Sequence, residues 1–163
     1  MIVNQRINKL LNHPIYRDYI NKIAGHEVNR SFCTHDLTHF LDTARIGYII
    51  SLENSLRIPK DIIYGAALLH DIGKWQQYEK GISHELASAA FCTQLFIDAG
   101  YQDEEIESMK LAILSHRDPS VEGAQSLSGI LYVADKLSRK CYDCKMIHLC
   151  DWSDEKKNIQ IVY

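Results

Sequence analysis

Five apolar stripes in this 163-residue chain each carry a polar residue in line with their core-facing positions. Between the breakers Pro14, Gly25, Pro59, Gly81, Gly100, Asp118-Pro119 and Gly123, apolar residues recur at helical spacing, not with the alternation of strands. Over residues 36–53 the stripe is His39, Thr43, Ile46 and Ile50, and over 60–75 it is Ile63, Ala66, Ala67 and His70. Over 83–99 it is His84, Ala87, Ser88, Phe91 and Leu95, and over 102–117 it is Ile106, Met109, Ile113 and His116. Over 125–140, Leu127, Leu131, Ala134 and Asp135 lie close together on the helical wheel. A further helical stretch, about 4–24, is interrupted near Pro14, whose ring removes a hydrogen bond and a donor. The pattern predicts an all-α fold: a single compact bundle of five or six helices over residues 1–140. A short Cys-bearing tail, 141–163, packs on the same domain. The β-prone end, Ile159-Gln160-Ile161-Val162-Tyr163, stands alone and is left unassigned.

The chain has 46% apolar and 24% charged residues, a globular composition. Its formal net charge of −3 lacks the basic footprint of a dedicated nucleic-acid binder. No apolar run is long enough for a membrane span. The first residues, MIVNQRINKLLNHP, show no long apolar signal core, so a cytoplasmic protein is expected.

An imidazole or carboxylate turned into a core is costly unless it is paired or bound to metal. One such histidine reads as a core residue bonded to a carbonyl. Four on separate helices, joined by Asp135, read as ligands of a shared metal centre. The sharpest local signal is Ala66-Ala67-Leu68-Leu69-His70-Asp71-Ile72-Gly73-Lys74. Lys74 follows His70 by four, which on a continuous helix puts the ammonium on the same side as the imidazole. A metal ligand beside a cation suits a phosphate-like anion.

These residues resemble the HD-domain (His-Asp) superfamily of metal-dependent phosphohydrolases, whose pattern is a His, a His-Asp pair on a later helix, and a distant Asp. Here they are His39 in DLTHFLDTAR, His70-Asp71, and Asp135 in LYVADK. His84 in SHELASA and His116 in ILSHR resemble the two extra histidines of a six-ligand subset. The resemblance spans about residues 33–139. It implies that His39, His70, Asp71 and Asp135 hold one metal, and that His84 and His116 hold a second, with Asp71 bridging. The donors suit one or two divalent transition metals, among Fe, Mn, Ni, Co and Zn. The implied chemistry is hydrolysis of a phosphoester or phosphoanhydride, in a small nucleotide or phosphorylated metabolite, by a metal-bound hydroxide. Asp71 and Lys74 are the candidate catalytic residues, with Lys74 and Arg117 binding substrate phosphate. Di-iron oxygenases of HD-domain type resemble this ligand order and stay open as an alternative; a non-catalytic nucleotide sensor is the third reading, against which the intact ligand set argues.

The other histidines carry less. His35 suits a contact behind the ligands, a substrate contact or a surface group. His13 and His26 read as surface, and Arg45 as packing or an ion pair. Five cysteines in a reducing compartment point to thiols or metal ligands before disulfides. Cys141, Cys144 and Cys150 form a C-x2-C-x5-C array. With His148 or Cys33 as fourth ligand it fits a structural zinc site; an iron–sulfur cluster and unligated thiols are the other readings. Cys92 reads as core. Tyr142, Trp152 and the final Ile-Val-Tyr either pair two chains into a homodimer or pack the tail onto its own domain.

Overall fold

A computed structural model describes residues 3–163. Its described residues form eight α-helices: α1 (Gln5–Asn12), α2 (Pro14–Glu27), α3 (Leu37–Glu53), α4 (Lys60–Leu69), α5 (Lys74–Lys80), α6 (His84–Ala99), α7 (Asp103–Ser115) and α8 (Leu127–Leu137). Short 3-10 turns follow at Pro119–Val121, Cys141–Asp143, Ile147–Leu149 and Asp154–Lys156. No strand forms among the described residues, the 159–163 segment included.

The all-α class holds, but the count of five or six helices does not, and two local causes account for the difference. Pro14 does more than bend the first segment. It opens a new helix at its N1 position, with the His13 ring accepting from Ile15 N at 3.2 Å as a cap. The segment expected over 60–75 stops at Leu69, turns through His70–Gly73, and restarts as α5.

Side-chain caps set the starts of α3 and α7 as well. Asp36 accepts from His39 N at 3.0 Å, which sets where α3 begins and how His39 leaves it. Glu105 returns to Gln102 N at 2.8 Å at the start of α7. Gly100, at φ +92°, ends α6 in the left-handed region.

Helix α4 lies at the centre. Seven of its ten residues are buried, from Ile62 to Leu69, so it is apolar nearly all round. It packs on α1, α3, α6, α7 and α8, and Phe40, Leu95, Phe96, Met109, Ile113 and Leu131 join it in one core. A central helix with no solvent face has its C-terminal end inside the bundle. His70 and Asp71 therefore emerge buried, at 0% and 3% exposure.

The turn after α4 presses directly on α6. A Cβ built on Gly73 would sit 2.4 Å from Ser88 N and 2.6 Å from Ala87 Cβ, and Gly73 N donates to Ser88 Oγ at 2.9 Å. Small residues on α6 let the two segments meet, which also brings His84 to the His70-Asp71 turn. Gly73→Ala is expected to cost about 1–3 kcal/mol, the range for overpacking a tight interior. It should also weaken metal binding, because α6 must shift. Thermal melting together with metal titration checks both effects.

Candidate metal centre

Each of the six aligned residues stands at or near the inner end of an element. His39 lies in the first turn of α3, His70 and Asp71 follow α4, His84 opens α6, His116 follows α7, and Asp135 lies near the end of α8. Their donor atoms form two groups, each with all atoms within 4.8 Å of one another: His39, His70, Asp71 and Asp135; and Asp71, His84 and His116.

Asp71 belongs to both groups and presents a different oxygen to each. Its Oδ2 is 3.6 Å from His39 Nε2 and 3.4 Å from His70 Nε2. Its Oδ1 is 3.0 Å from His84 Nε2 and 3.5 Å from His116 Nε2. Asp135 Oδ1 closes the first group, 3.5 Å from His39 Nε2 and 3.6 Å from His70 Nε2. This is the geometry of a carboxylate shared between two cation positions.

The rings are held from behind. His70 Nδ1 donates to Ala67 O at 2.7 Å and His116 Nδ1 to Ile113 O at 2.6 Å. Ser138 Oγ donates to Asp135 O at 2.7 Å, leaving its oxygen to accept from His39 Nδ1 at 2.9 Å. His84 Nδ1 donates to Gln77 Oε1 at 2.6 Å. These bonds place a proton on Nδ1 of every ring and turn all four Nε2 atoms to the centre, the orientation that metal-binding histidines need. His39 Nε2, His70 Nε2 and Asp71 Oδ1 are buried and have no hydrogen-bond partner. Buried polar atoms left in that state are costly, and a divalent cation satisfies all three. The residues fit the metal.

Charge in the cluster is tightly coupled. Burial pushes the Asp71 carboxyl up, but His70, His116 and His39 outweigh it and hold Asp71 well below the usual carboxylate range. Burial pushes His70 down, while Asp71 and Asp135 raise it to about 10. Burial also lowers Lys74 from its ordinary value.

Lys74 reaches the site by a different route from the helical spacing expected. The helix is broken between it and His70, and Lys74 instead opens α5, with its Nζ 3.4 Å from His84 Nδ1. Arg117 is exposed at the rim, its Nη1 3.7 Å from Glu85 Oε2. Both line a cleft of about 690 Å³ whose floor includes Asp71, His84, His116 and Asp135. Arg30, Lys136 and Arg139 line the same cleft and went unread in the sequence, since a lone basic residue carries no periodic signal.

His35 belongs to the cleft as well, with Nε2 3.8 Å from Asp71 Oδ2. Its ring is oriented by Glu27, which accepts from His35 Nδ1, from His35 N at 2.7 Å and from Tyr78 OH at 2.5 Å. Glu27 was missed although it continues the buried stripe Tyr16, Ile23, Glu27 of α2. His13 and His26 pair with Asp98 and Glu79, both at 3.1 Å, and Arg45 pairs with Asp42 at 3.2 Å. Cys92 is fully buried in the core, as expected.

The cysteines do not form the expected zinc site. On one tetrahedral zinc, with Zn–S near 2.3 Å, sulfurs stand about 3.8 Å apart. Among the described residues no ion-holding group within 4.8 Å contains a cysteine. His148 joins no such group either.

A six-residue metal-coordinating centre inside an all-α bundle is the active site of an HD-type protein. The family model described as "HD domain" matches residues 36–140, and the chain belongs to that family. An uncharacterized protein of Clostridium beijerinckii is 47% identical over 158 residues, covering 97% of this chain and 99% of that one. No solved structure matches. Among the described residues, no helix is long and apolar enough to cross a membrane.

Two outcomes test the site. His70→Ala and Asp71→Ala should each abolish stoichiometric metal binding, read by elemental analysis, while far-UV circular dichroism stays largely helical. Glu27 predicts a pH dependence. Burial pushes its carboxyl up, but the hydrogen bonds from His35 and Tyr78 prevail and lower it from 4.5 to about 2. A depressed carboxyl contributes stability above its unfolded value, and that stability is lost as pH falls through the folded one. Glu27→Gln should therefore melt lower than the parent at pH 7, with the gap closing between about pH 4.5 and 2.

Proposed function

We propose that this HD-domain protein is a metal-dependent phosphohydrolase acting on a phosphoester or phosphoanhydride of a small nucleotide or phosphorylated metabolite. The observation that carries the reading is the pairing of floor and walls. Two histidine–carboxylate groups share Asp71 at the floor of the cleft, and Arg30, Lys74, Arg117, Lys136 and Arg139 line its walls. Five cations around an ion-binding floor suit a ligand with several negative oxygens. Phe32 and Trp152, also in the lining, offer apolar faces to a nucleobase.

His39, His70, Asp71 and Asp135 would hold one divalent ion, and His84, His116 and Asp71 the second. The nitrogen and oxygen donors suit iron, manganese, nickel, cobalt or zinc. When bound, such an ion lowers the pKa of a coordinated water from 15.7 towards about 7 and offsets charge on phosphate oxygens.

The chain's own groups do the rest. Lys74 and Arg117 bind and orient the phosphate, with Arg117 contributing a guanidinium fork at the rim. Asp71 holds the two ligand groups in register. His35, fixed by Glu27, keeps its Nε2 at the edge of the floor, within reach of a phosphate oxygen. Residues 1–140 are read as the catalytic unit, with 141–163 as an appended segment that completes the cleft. A cytoplasmic location belongs to the same reading. A homodimer through the exposed Ile161, Val162 and Tyr163 is part of the proposal too, and sedimentation checks it.

The test is a screen of nucleotides, dinucleotides and phosphorylated metabolites with manganese, iron, cobalt and nickel varied, run with and without oxygen. Oxygen-independent phosphate release supports the proposal. Substrate-dependent oxygen uptake would place the protein with the di-iron oxygenases, and tight nucleotide binding without turnover would make it a sensor. Lys74→Ala should lower kcat/KM about 10- to 100-fold, the worth of roughly 1.5–3 kcal/mol for a hydrogen bond to a charged group. Bound metal should be unchanged.

A further inference from the structure

The segment 141–163 presents a physical problem. Not one of its residues is buried, and its only regular structure is three single 3-10 turns. Tyr142, Leu149, Ile159, Ile161, Val162 and Tyr163 are all exposed. Ordering a residue costs about 1–2 kcal/mol of backbone entropy, and only the half-buried Met146, Ile147 and Trp152 set apolar burial against that cost here. Yet the segment follows one defined course. Asn158 Nδ2 donates to Lys136 O at 2.7 Å and Arg139 O at 2.9 Å, binding carbonyls at the end of α8. Trp152 lies under the Arg139 guanidinium, 3.9 Å from ring centroid to Cζ. Polar clips of this kind rarely hold an unburied segment by themselves. Small units without a core are held by disulfides or metals.

Four of the five cysteines gather where such a fastening would act. Cys33, Cys141 and Cys150 line the cleft, and Cys33, Cys141 and Cys144 line the adjoining groove beside His39. Cys33 comes from the loop between α2 and α3, more than a hundred residues before the others. Its thiol is accessible on one side and crowded on the other. Crowding raises its pKa, the nearby Cys141 and Cys144 push the same way, and Arg139 opposes them. None of the four is in a disulfide.

Size bears on which thiolate-bound group suits these sulfurs. No three of the four sulfurs lie within 4.8 Å of one another, which is too open for a single tetrahedral zinc, whose sulfurs sit about 3.8 Å apart. In a four-iron cluster each thiolate binds its own iron, so the sulfurs stand further apart. Such a cluster with four thiolates is also anionic. Arg30 and Arg139 line the cleft with Cys33, beside Asp151, and Arg139 and Lys140 line the adjoining groove, beside Asp36 and Asp42; Arg30 Nε donates to Cys33 O at 2.7 Å.

We propose that Cys33, Cys141, Cys144 and Cys150 bind an iron–sulfur cluster of the [4Fe–4S] type, fastening the tail to the loop before α3 at the rim of the cleft. In its 2+ state the cluster takes two ferrous ions, two ferric ions and four sulfides, and the four thiols lose their protons on ligation. The fastening joins the two cleft walls that carry aromatic side chains, since Phe32 adjoins Cys33 and Trp152 follows Cys150 by two. No electron transfer is needed for this role.

The test uses the full chain, purified without oxygen from iron-supplied cells or reconstituted anaerobically with ferrous and ferric iron and sulfide. The readout is acid-labile sulfide, which the histidine–carboxylate centre does not bind. The expected result is about four sulfides per chain, with broad visible absorption bleached by dithionite. Cys144→Ser and Cys33→Ser, taken from the two separate segments, should each lose most of the sulfide while keeping the metal of the His/Asp centre, which also shows that they fold. Cys92→Ser should keep the sulfide. Asp71→Ala should lose the catalytic metal and keep the sulfide, so failure of the phosphohydrolase reading leaves this result intact. Stoichiometric zinc without sulfide, a disulfide among the four, or a reconstituted chain free of sulfide would each overturn the proposal.

Discussion

A single carboxylate organises this molecule. Asp71 is buried, presents one oxygen to His39 and His70 and the other to His84 and His116, and has Asp135 close by. Two acids and four imidazoles packed this tightly in an apolar bundle would repel or stay unsatisfied without positive charge between them. The backbone is arranged around that need. Five helices begin or end at or near the centre, of which the buried α4 delivers His70 and Asp71 into it, and carbonyls of α4 and α7 hold the proton on the outer nitrogens of His70 and His116. Stability and ion binding are the same property at this place: the groups that bring the helices together are the groups that grip the ions.

The constraint reaches outward through the Gly73 turn. Ending α4 at Leu69 frees the backbone to aim His70 and Asp71 in one direction, and the restart as α5 returns Lys74 to the cleft. Close packing of Gly73 on Ala87 and Ser88 then fixes the distance from α6, and with it the place of His84. Catalytic geometry therefore depends on a backbone approach that any side chain at 73 would obstruct.

Most of this was legible in the sequence because the ligands interrupt apolar periodicity. His39, His70, His84, His116 and Asp135 stand in stripes whose other members are core, and a polar residue in such a stripe is conspicuous. Glu27 carried the same signal after Tyr16 and Ile23, but the first helical segment was expected to end before it. The break at residues 70–73 was hidden because apolar spacing continues through it, and the close packing of Gly73 on α6 lies outside any local window. Arg30, Lys136 and Arg139 were silent for a related reason. A basic residue at a cleft and one in open solvent look alike until the chain has folded.

The division between a buried floor and an unburied rim has an evolutionary consequence. Ion binding is anchored in residues that cannot change without disturbing the core, whereas Leu149, Asp151 and Trp152 line the cleft from a segment with no share in that core. Replacing the 141–163 strap would redraw the outline that an incoming molecule meets and leave the helices beneath untouched. Selectivity and reactivity are thereby carried by separate stretches of one short polypeptide, free to diversify at different rates.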